Sequence, residues 1–342
     1  MNTAFGLDIG ATSIKVLQLK KSGSGISIDS LGVAKTSARG IMSESPEDVR
    51  NFGIEIEKLI ASSRIGSKLV NIALPESQVF TKIIEMPPMS EKELIAALKY
   101  EMEQYIPLPL DQVRTDWQIL NSGTTVDKTM RVLLVAAPNR LIQKYESIMD
   151  QIGLTPISIE TEILSVHRAL MPLLNTPNPN MIIHMGATTT NIAIVKNGEI
   201  IMVFTVDKGG VAITRAVSLD LGMDLNQADA YKKAYGLSQE AFEGKVGKSL
   251  TPILDSILGD VRKTLLLFKD KNKDEQVMQV VLSGGSAQLP GIDIYFANQL
   301  NIQVVLGNAF QLYSIKNIPP EMAGDAVSFN VVTGLALKEE SS

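Results

Sequence analysis

The chain has 342 residues, of which 45% are apolar and 20% charged, with a formal net charge of −5. This length predicts two or more globular domains, and an acidic balance without a basic cluster argues against a nucleic-acid partner. The absence of cysteine excludes disulfides and thiolate chemistry, and because neither a secretory signal nor an apolar run of ~18 residues is visible, we expect a cytoplasmic α/β protein.

The first segment, Phe5–Lys15, predicts a β-hairpin whose turn suits an anion. The strand Phe5–Ile9 carries Asp8, turns through Gly10 and two hydroxyl residues, and continues into a strand that holds Lys15. Glycine lets the backbone approach a phosphate closely, and turn amides, hydroxyls and an ammonium group all attract phosphate oxygens. Alone this pattern is weak, because similar turns occur in many hairpins and single lysines are usually solvated.

Further elements complete the start of a ribonuclease-H-like unit. Strands at Ile14–Lys20 and Ile26–Lys35 follow the first strand, and a helix is predicted at about 46–62. Val70–Leu74 is the next buried strand. Three strands in sequence followed by a helix and a buried strand are the opening order of such a unit.

Residues 78–153 break this pattern and predict an inserted block. Ser90 and Glu93 form a capping box at the start of its first helix. The apolar stripe of that helix is more typical of a core face than of a partner groove. The predicted elements are a strand at Val79–Glu85, the capped helix, strands at Arg114–Leu120 and Met130–Ala136, and a helix at about 140–152.

The segment Met181–Ile194 repeats the first hairpin. It again consists of an apolar strand, a Gly-Ala-Thr turn with further hydroxyls and a second strand, so that Gly186 matches Gly10. Later in the chain the buried strand Val277–Leu282 ends in a third glycine-bearing turn, Ser283–Ser286. The repeat indicates two copies of one supersecondary unit.

The joint order of these turns resembles the actin, Hsp70 and sugar-kinase superfamily. The resemblance implies an α/β, actin-like fold of two ribonuclease-H-like domains that clamp ATP and Mg²⁺ between two phosphate hairpins. The inserted block resembles the subdomain called 1C, a strand-helix-strand-strand unit that marks the FtsA-like branch. Without this context, Gly284-Gly285 would more often be an ordinary turn between a strand and a helix.

Within that branch the chain is similar to the PilM family of type IV pilus assembly proteins. The similarity covers nearly the whole length and lies in four groups of residues. These are Met86–Ser90, Glu101–Asp111 with Asp116, Gln227–Lys232, and Ser328–Leu337.

The resemblance implies a division of the chain and a set of site residues. The domain bounds are 1–77 and 154–176 for the first domain (1A), 78–153 for 1C, 177–324 for the second domain (2A/2B), and 325–342 for a C-terminal helix returning to 1A. The implied phosphate-binding residues are Gly10, Thr12, Ser13 and Lys15 in the first hairpin and Gly186, Thr188 and Thr190 in the second. The implied adenosine-binding residues are Asp229, Lys232, Gly284, Gly285 and Ser286. Asp8 would hold Mg²⁺ through water, and Glu160 would be a tentative catalytic acid that positions water or metal.

Two positions depart from the family pattern. The second hairpin normally begins with Asp, but here the residue is His184, which removes half of the metal-binding charge. A neutral imidazole is a poor substitute for a hard oxygen ligand of Mg²⁺, so nucleotide binding is expected with weak or absent hydrolysis. The alternative is that His184 is simply a tolerated strand residue. Asp229 is shorter than the usual Glu, which makes its reach to the ribose less certain.

Family resemblance implies a cytoplasmic ATP-binding scaffold recruited to the inner face of the inner membrane. It would dock the N-terminal cytoplasmic tail of the inner-membrane protein PilN in a groove between 1A and 1C, with self-association possible and membrane contact only through a partner. The alternative is an FtsA-like polymerising ATPase of cell division, although such proteins usually end in a basic amphipathic helix that this sequence lacks. A sugar or acetate kinase is a third class, disfavoured by the 1C-like insert.

Overall fold

The computed structural model describes residues 3–23, 25–37, 40–121 and 129–338. The described residues form thirteen strands and eleven α-helices. The strands are β1 (Phe5–Ile9), β2 (Ser13–Ser22), β3 (Gly25–Lys35), β4 (Leu69–Leu74), β5 (Phe80–Met86), β6 (Val113–Asn121), β7 (Met130–Pro138), β8 (Thr155–Thr161), β9 (Asn180–Met185), β10 (Thr190–Lys196), β11 (Glu199–Val206), β12 (Gln279–Ser283) and β13 (Gln303–Leu306). The helices are α1 (Pro46–Ser62), α2 (Glu91–Tyr105), α3 (Asn139–Gln151), α4 (Glu162–Leu174), α5 (Gly210–Leu221), α6 (Leu225–Tyr235), α7 (Lys245–Lys271), α8 (Ile292–Leu300), α9 (Ala309–Leu312), α10 (Pro320–Ala323) and α11 (Asn330–Leu337).

Two five-stranded sheets have the same topology, as the sequence repeat predicts. Their strand orders are β3-β2-β1-β4-β8 and β11-β10-β9-β12-β13. In each, the first three strands are antiparallel neighbours and the last two add in parallel. The first strands of the two sheets, β1 and β9, therefore lead into equivalent turns.

The insert has its own small sheet and core. Its sheet order is β5-β7-β6, and α2 buries Leu94 and Leu98 against it. The capping box is present: the backbone N–H of Ser90 donates to Glu93 at 2.9 Å, and that of Glu93 donates to the Ser90 hydroxyl at 3.4 Å. The C-terminal end of the predicted block packs against the first sheet instead of the small sheet of the insert. Helix α3, inside 78–153, packs its buried residues, Tyr145 among them, into the core of the first sheet, because its apolar face matches that surface.

Helix α11 is buried along its whole length and touches both large sheets. Asn71 of β4 donates to the carbonyl of Leu335 at 3.0 Å, and Ser165 of α4 donates to the carbonyl of Val331 at 2.7 Å. At its other end, Asn330 donates to the carbonyl of Gly307, which follows β13, at 2.7 Å. The helix therefore joins the first sheet to the second.

Candidate functional site

The turns after β1 and β9 have matching geometry. The N–H of Gly10 donates to the carbonyl of Ser13 at 3.0 Å, and that of Gly186 donates to the carbonyl of Thr189 at 2.9 Å. A Cβ atom on Gly10 would lie 2.9 Å from the Ser13 carbonyl oxygen, and one on Gly186 would lie 3.2 Å from that of Thr189. Neither glycine has a positive φ, so Gly10 is favoured by the close backbone approach rather than by left-handed geometry, and the approach at Gly186 is tight but less severe.

The hydroxyl residues of the two turns fall into two groups. Thr12 and Thr188 are exposed at the tips, and Ser13 is half-buried beside the first. Thr190 is fully buried, and its hydroxyl donates to the carbonyl of Lys208 at 2.7 Å. The tips thus offer free hydroxyls, whereas the hydroxyl of Thr190 is used to hold the start of β10.

Asp8 and Lys15 lie side by side at the first turn. Their carboxylate oxygen and ammonium nitrogen are 3.9 Å apart, and both side chains are largely buried. Burial raises the pKa of Asp8, while the charge of Lys15 lowers it in part. The ammonium also lies 5.5 Å from the ring centre of Phe329, so this cation stands in the space between the two sheets.

His184 occupies the matching strand position of the second hairpin. Its Nδ1 lies 3.0 Å from the hydroxyl oxygen of Ser283 on the neighbouring strand β12. Burial, followed by the charge of Lys15, lowers the pKa of His184 to about 4. The imidazole is therefore neutral at pH 7. The charge of Lys15 on the first hairpin thus contributes to the low pKa of this residue on the second.

The third turn lies against the second hairpin. Gly284 has a φ of 90°, and a Cβ atom there would lie 2.5 Å from the carbonyl oxygen of Met185, so no other residue fits. Gly285 is exposed. The hydroxyl of Ser286 donates to the carbonyl of Gly186 at 3.4 Å, which brings this turn to the base of the hairpin.

Asp229 and Lys232 of α6 reach the same region. The Lys232 ammonium donates to the Thr214 hydroxyl at 2.7 Å and to the carbonyl of Gly210 at 3.2 Å, and it pairs with Asp229 at 2.8 Å. Burial raises the pKa of Asp229, but Lys232 and the neighbouring Lys233 outweigh it and hold the value at about 2. Lys232 thus anchors α6 to the start of α5.

Glu160, the tentative catalytic acid, is engaged elsewhere. Its carboxylate accepts two hydrogen bonds from Arg168, at 2.6 and 2.8 Å, and one from Lys338 at 2.8 Å. Burial raises its pKa, but these two cations prevail and lower it. Among the described residues, no hydrogen bond or ion pair joins Glu160 to either hairpin turn. Its carboxylate is engaged by Arg168 and Lys338, and its role as a catalytic acid stays a prediction.

A different acid, Glu162, is close enough to Asp8 and Glu76 to be influenced by their charges. It begins α4, and the Asn191 side chain of β10 donates to it at 3.3 Å. Burial, with the charges of Asp8 and Glu76, raises the pKa of Glu162 to about 8. Glu76, which precedes β5, accepts from the backbone N–H of Ile163 at 3.3 Å. Sequence reasoning missed Glu162, although its place two residues after Glu160, at a predicted helix start, was a usable signal.

Comparison with known proteins decides the family. Residues 6–340 match the family model described as Type IV pilus assembly protein PilM. The chain belongs to the PilM family of type IV pilus assembly proteins. A solved PilM-PilN type IV pilus biogenesis complex superposes with a TM-score of 0.84 at 22% sequence identity, covering 98% of this chain and 97% of that one.

Other relatives confirm the FtsA-like branch and the actin-like fold. The cell division protein FtsA of Streptococcus pneumoniae is 22% identical over 98% of this chain and 83% of its own length. The ethanolamine utilization protein EutJ of Carboxydothermus hydrogenoformans has a TM-score of 0.58 at 15% identity, with 98% and 89% of the two chains covered. MreB 5 of Spiroplasma citri, solved bound to AMPPNP, has a TM-score of 0.53 at 12% identity, with 96% and 93% covered.

The residues at the cleft fit the phosphates of a nucleotide better than they fit a metal ion. The hydroxyls of Thr12 and Thr188 are exposed at the turn tips, where they can donate to phosphate oxygens, and Lys15 supplies a cation. For Mg²⁺ the donor set is poor, because Asp8 is paired with Lys15 and His184 replaces the second acid. In the described ranges, no group of three or more His, Cys, Asp or Glu residues is arranged to hold a metal ion.

Proposed function

We propose that this PilM family member is an ATP-binding scaffold of type IV pilus assembly that docks the N-terminal tail of PilN. The observation that carries the proposal is the similarity of the whole chain, at a TM-score of 0.84, to PilM in a PilM-PilN complex. Within the described residues no helix is long and apolar enough to cross a bilayer. Recruitment to the inner membrane through the partner's tail is part of the proposal.

The insert is the proposed docking element. It adds a surface to the first unit, and α2 exposes Ile95 and Tyr100, at 55% and 75%. An extended tail with apolar side chains would lie against this helix in a groove next to the first sheet. Ordering such a tail costs free energy that offsets apolar burial, so the expected affinity is modest.

Matched surface variants test this assignment. Ile95→Ser and Tyr100→Ser should weaken binding of a synthetic PilN-tail peptide, measured by calorimetry, by about tenfold for one buried apolar side chain. The controls are Leu225→Ser and Leu219→Ser on the second unit, whose side chains are 58% and 73% exposed. Peptide binding unchanged by both insert variants, or weakened equally by the controls, would place the tail elsewhere.

The cleft is the proposed nucleotide site. Lys15 and the tip hydroxyls of Thr12 and Thr188 would hold the phosphates, next to the backbone turns that begin at Gly10 and Gly186. The third turn and α6 would line the adenosine pocket. The bound nucleotide would supply a phosphate chain that bridges both hairpins and so sets the angle between the two units.

We expect ATP to bind with slow or absent turnover, since His184 removes an acid from the cleft. Calorimetry with ATP and ADP measures binding, and phosphate release measures hydrolysis. A turnover on the order of 1 s⁻¹, near the low end of ordinary enzymes, would contradict a role limited to scaffolding. Undetectable binding at millimolar ATP would remove the nucleotide from the proposal while leaving tail docking to be judged by its own variants.

A further inference from the structure

A buried hydrogen-bond chain begins at Asn330, at the start of α11. Its side-chain oxygen accepts from the backbone N–H of Ala309 at 3.2 Å, and its side-chain nitrogen donates to the carbonyl of Gly307 at 2.7 Å. These two backbone partners allow only one orientation of the amide, because N–H groups donate and carbonyls accept. The amide nitrogen must therefore donate to its remaining neighbour, the hydroxyl oxygen of Ser283, at 2.8 Å.

The proton of the Ser283 hydroxyl has one destination. Ser283 is fully buried, and in the described part of the chain its hydroxyl contacts only Asn330 and the Nδ1 of His184, which lies 3.0 Å away. Asn330 already donates to this oxygen, so among these contacts Nδ1 is the only acceptor for the hydroxyl proton of Ser283. If Nδ1 carried a proton instead, the buried hydroxyl would be left without an acceptor, which costs about 1–3 kcal/mol.

The chain of donors fixes the tautomer of His184. Nδ1 accepts from Ser283, so a neutral ring carries its proton on Nε2. Burial and the charge of Lys15 keep the ring neutral at pH 7. No described residue is a hydrogen-bond partner of Nε2, and the charge of Lys15 on the first hairpin reaches the ring. His184 therefore presents an N–H donor where a carboxylate would present an acceptor.

We propose that the Nε2–H of His184 donates to a phosphate oxygen of the bound nucleotide, so that this cleft binds nucleotide phosphates without a divalent cation. This inference rests on the proposed nucleotide binding. A carboxylate next to phosphate is repelled unless a cation lies between them, whereas a neutral N–H donor attracts the same oxygens directly. Lys15 supplies the positive charge that the metal would otherwise supply.

The first test measures the tautomer in the unmodified protein. The chain has only two histidines, so long-range ¹⁵N–¹H spectra of a histidine-labelled sample contain two rings. His167 is an internal reference, because its Nε2 lies 2.8 Å from the carbonyl of Gly198, which can only accept. We expect His184 to be neutral and protonated on Nε2 at pH 7, with that signal shifting when ATP is added. A proton on Nδ1, or a charged ring, would overturn the proposal.

The second test compares ATP affinity in excess Mg²⁺ and in excess EDTA. For the wild-type chain we expect the two dissociation constants to agree within about threefold, because no binding contact requires the metal. His184→Asp should restore metal dependence, binding ATP at least about tenfold more weakly in EDTA than in Mg²⁺. His184→Ala should lose about tenfold under both conditions, the worth of one hydrogen bond to a charged group.

The outcomes separate this inference from the proposed function. Wild-type binding that disappears in EDTA would overturn metal-independent binding and leave the nucleotide-binding scaffold standing. An absence of binding under both conditions would overturn both. Thermal unfolding shows whether each variant is folded, and the spectra of the unmodified protein decide the tautomer even if neither variant folds.

Discussion

At the scale of single residues, the turn of the first hairpin depends on the absence of a Cβ atom at Gly10. A Cβ atom would lie 2.9 Å from the carbonyl oxygen of Ser13, which is backbone and cannot move without opening the turn. We predict that Gly10→Val weakens ATP binding by more than about tenfold while the fold survives. Calorimetry checks this, with Gly66→Val as control because a Cβ atom there meets nothing within 4 Å. Normal ATP affinity in Gly10→Val would mean that the hairpin is only structural.

Lys232 and Lys233 allow a direct comparison of how much a buried and an exposed lysine contribute to the free energy of unfolding. Both contact Asp229, but the side chain of Lys232 is 6% exposed and that of Lys233 is 71% exposed. Lys232→Met removes the donor to the Thr214 hydroxyl and one of the two donors to the Gly210 carbonyl, so we predict a loss of about 2 kcal/mol in the free energy of unfolding. Lys233→Met should cost less than about 0.5 kcal/mol. Urea unfolding of the two variants gives the comparison, and equal losses would contradict this role of Lys232.

At the scale of elements, two helical glycines should respond to alanine with opposite signs. A Cβ atom on Gly334 of α11 would collide with the backbone carbonyl of Ser165 on α4, whereas one on Gly259 of α7 meets nothing within 4 Å. We predict that Gly334→Ala costs about 1–3 kcal/mol by forcing the two helices apart. Gly259→Ala should stabilise by about 0.5–1 kcal/mol through helix propensity. Thermal unfolding measures both, and a neutral Gly334→Ala would mean that the helices yield easily.

Local patterns predicted most elements and failed where distant partners decide. Turn glycines, the capping box and strand periodicity are local, and the predicted sheets and the 1C order followed from them. The apolar face of α3 shows that the helix is buried but not which sheet it covers. Similarly, local sequence does not show that Glu160 pairs with Lys338, which lies 178 residues away along the chain. Thr190 was expected to bind phosphate, and its hydroxyl donates a hydrogen bond to the backbone carbonyl of Lys208, which is distant in sequence.

At the scale of the whole molecule, three carboxylates from different parts of the chain come close enough for two of them to raise the pKa of the third. Asp8 lies on the first sheet, Glu76 at the root of the insert, and Glu162 at the start of α4 beside the second sheet, and burial raises the pKa of each. The free energy of unfolding is therefore expected to depend on pH at neutrality.

The sign of that dependence follows from proton counts. Glu162 titrates at about 8 in the folded chain against a reference of 4.5, so the folded state holds more protons between these values. The free energy of unfolding should then fall as pH rises from about 5 to 8, by up to about 1.4 kcal/mol per pH unit. Urea titrations from pH 5 to 9 should show a flatter profile for Glu162→Gln than for wild type. The control Glu57→Gln changes an exposed acid on α1, and an equally flat profile there would refute the assignment.

The position of α11 has a consequence for synthesis. Asn71 and Leu335 form a buried contact although 264 residues separate them along the chain. Gly6, near the start, has no room for a side chain, because an added Cβ atom would lie 2.6 Å from the carbonyl oxygen of Val332. The face of the first sheet that α11 covers therefore stays uncovered until residues 264 positions after Asn71 have been synthesised. Such late closure slows folding and favours chaperone engagement of the nascent polypeptide.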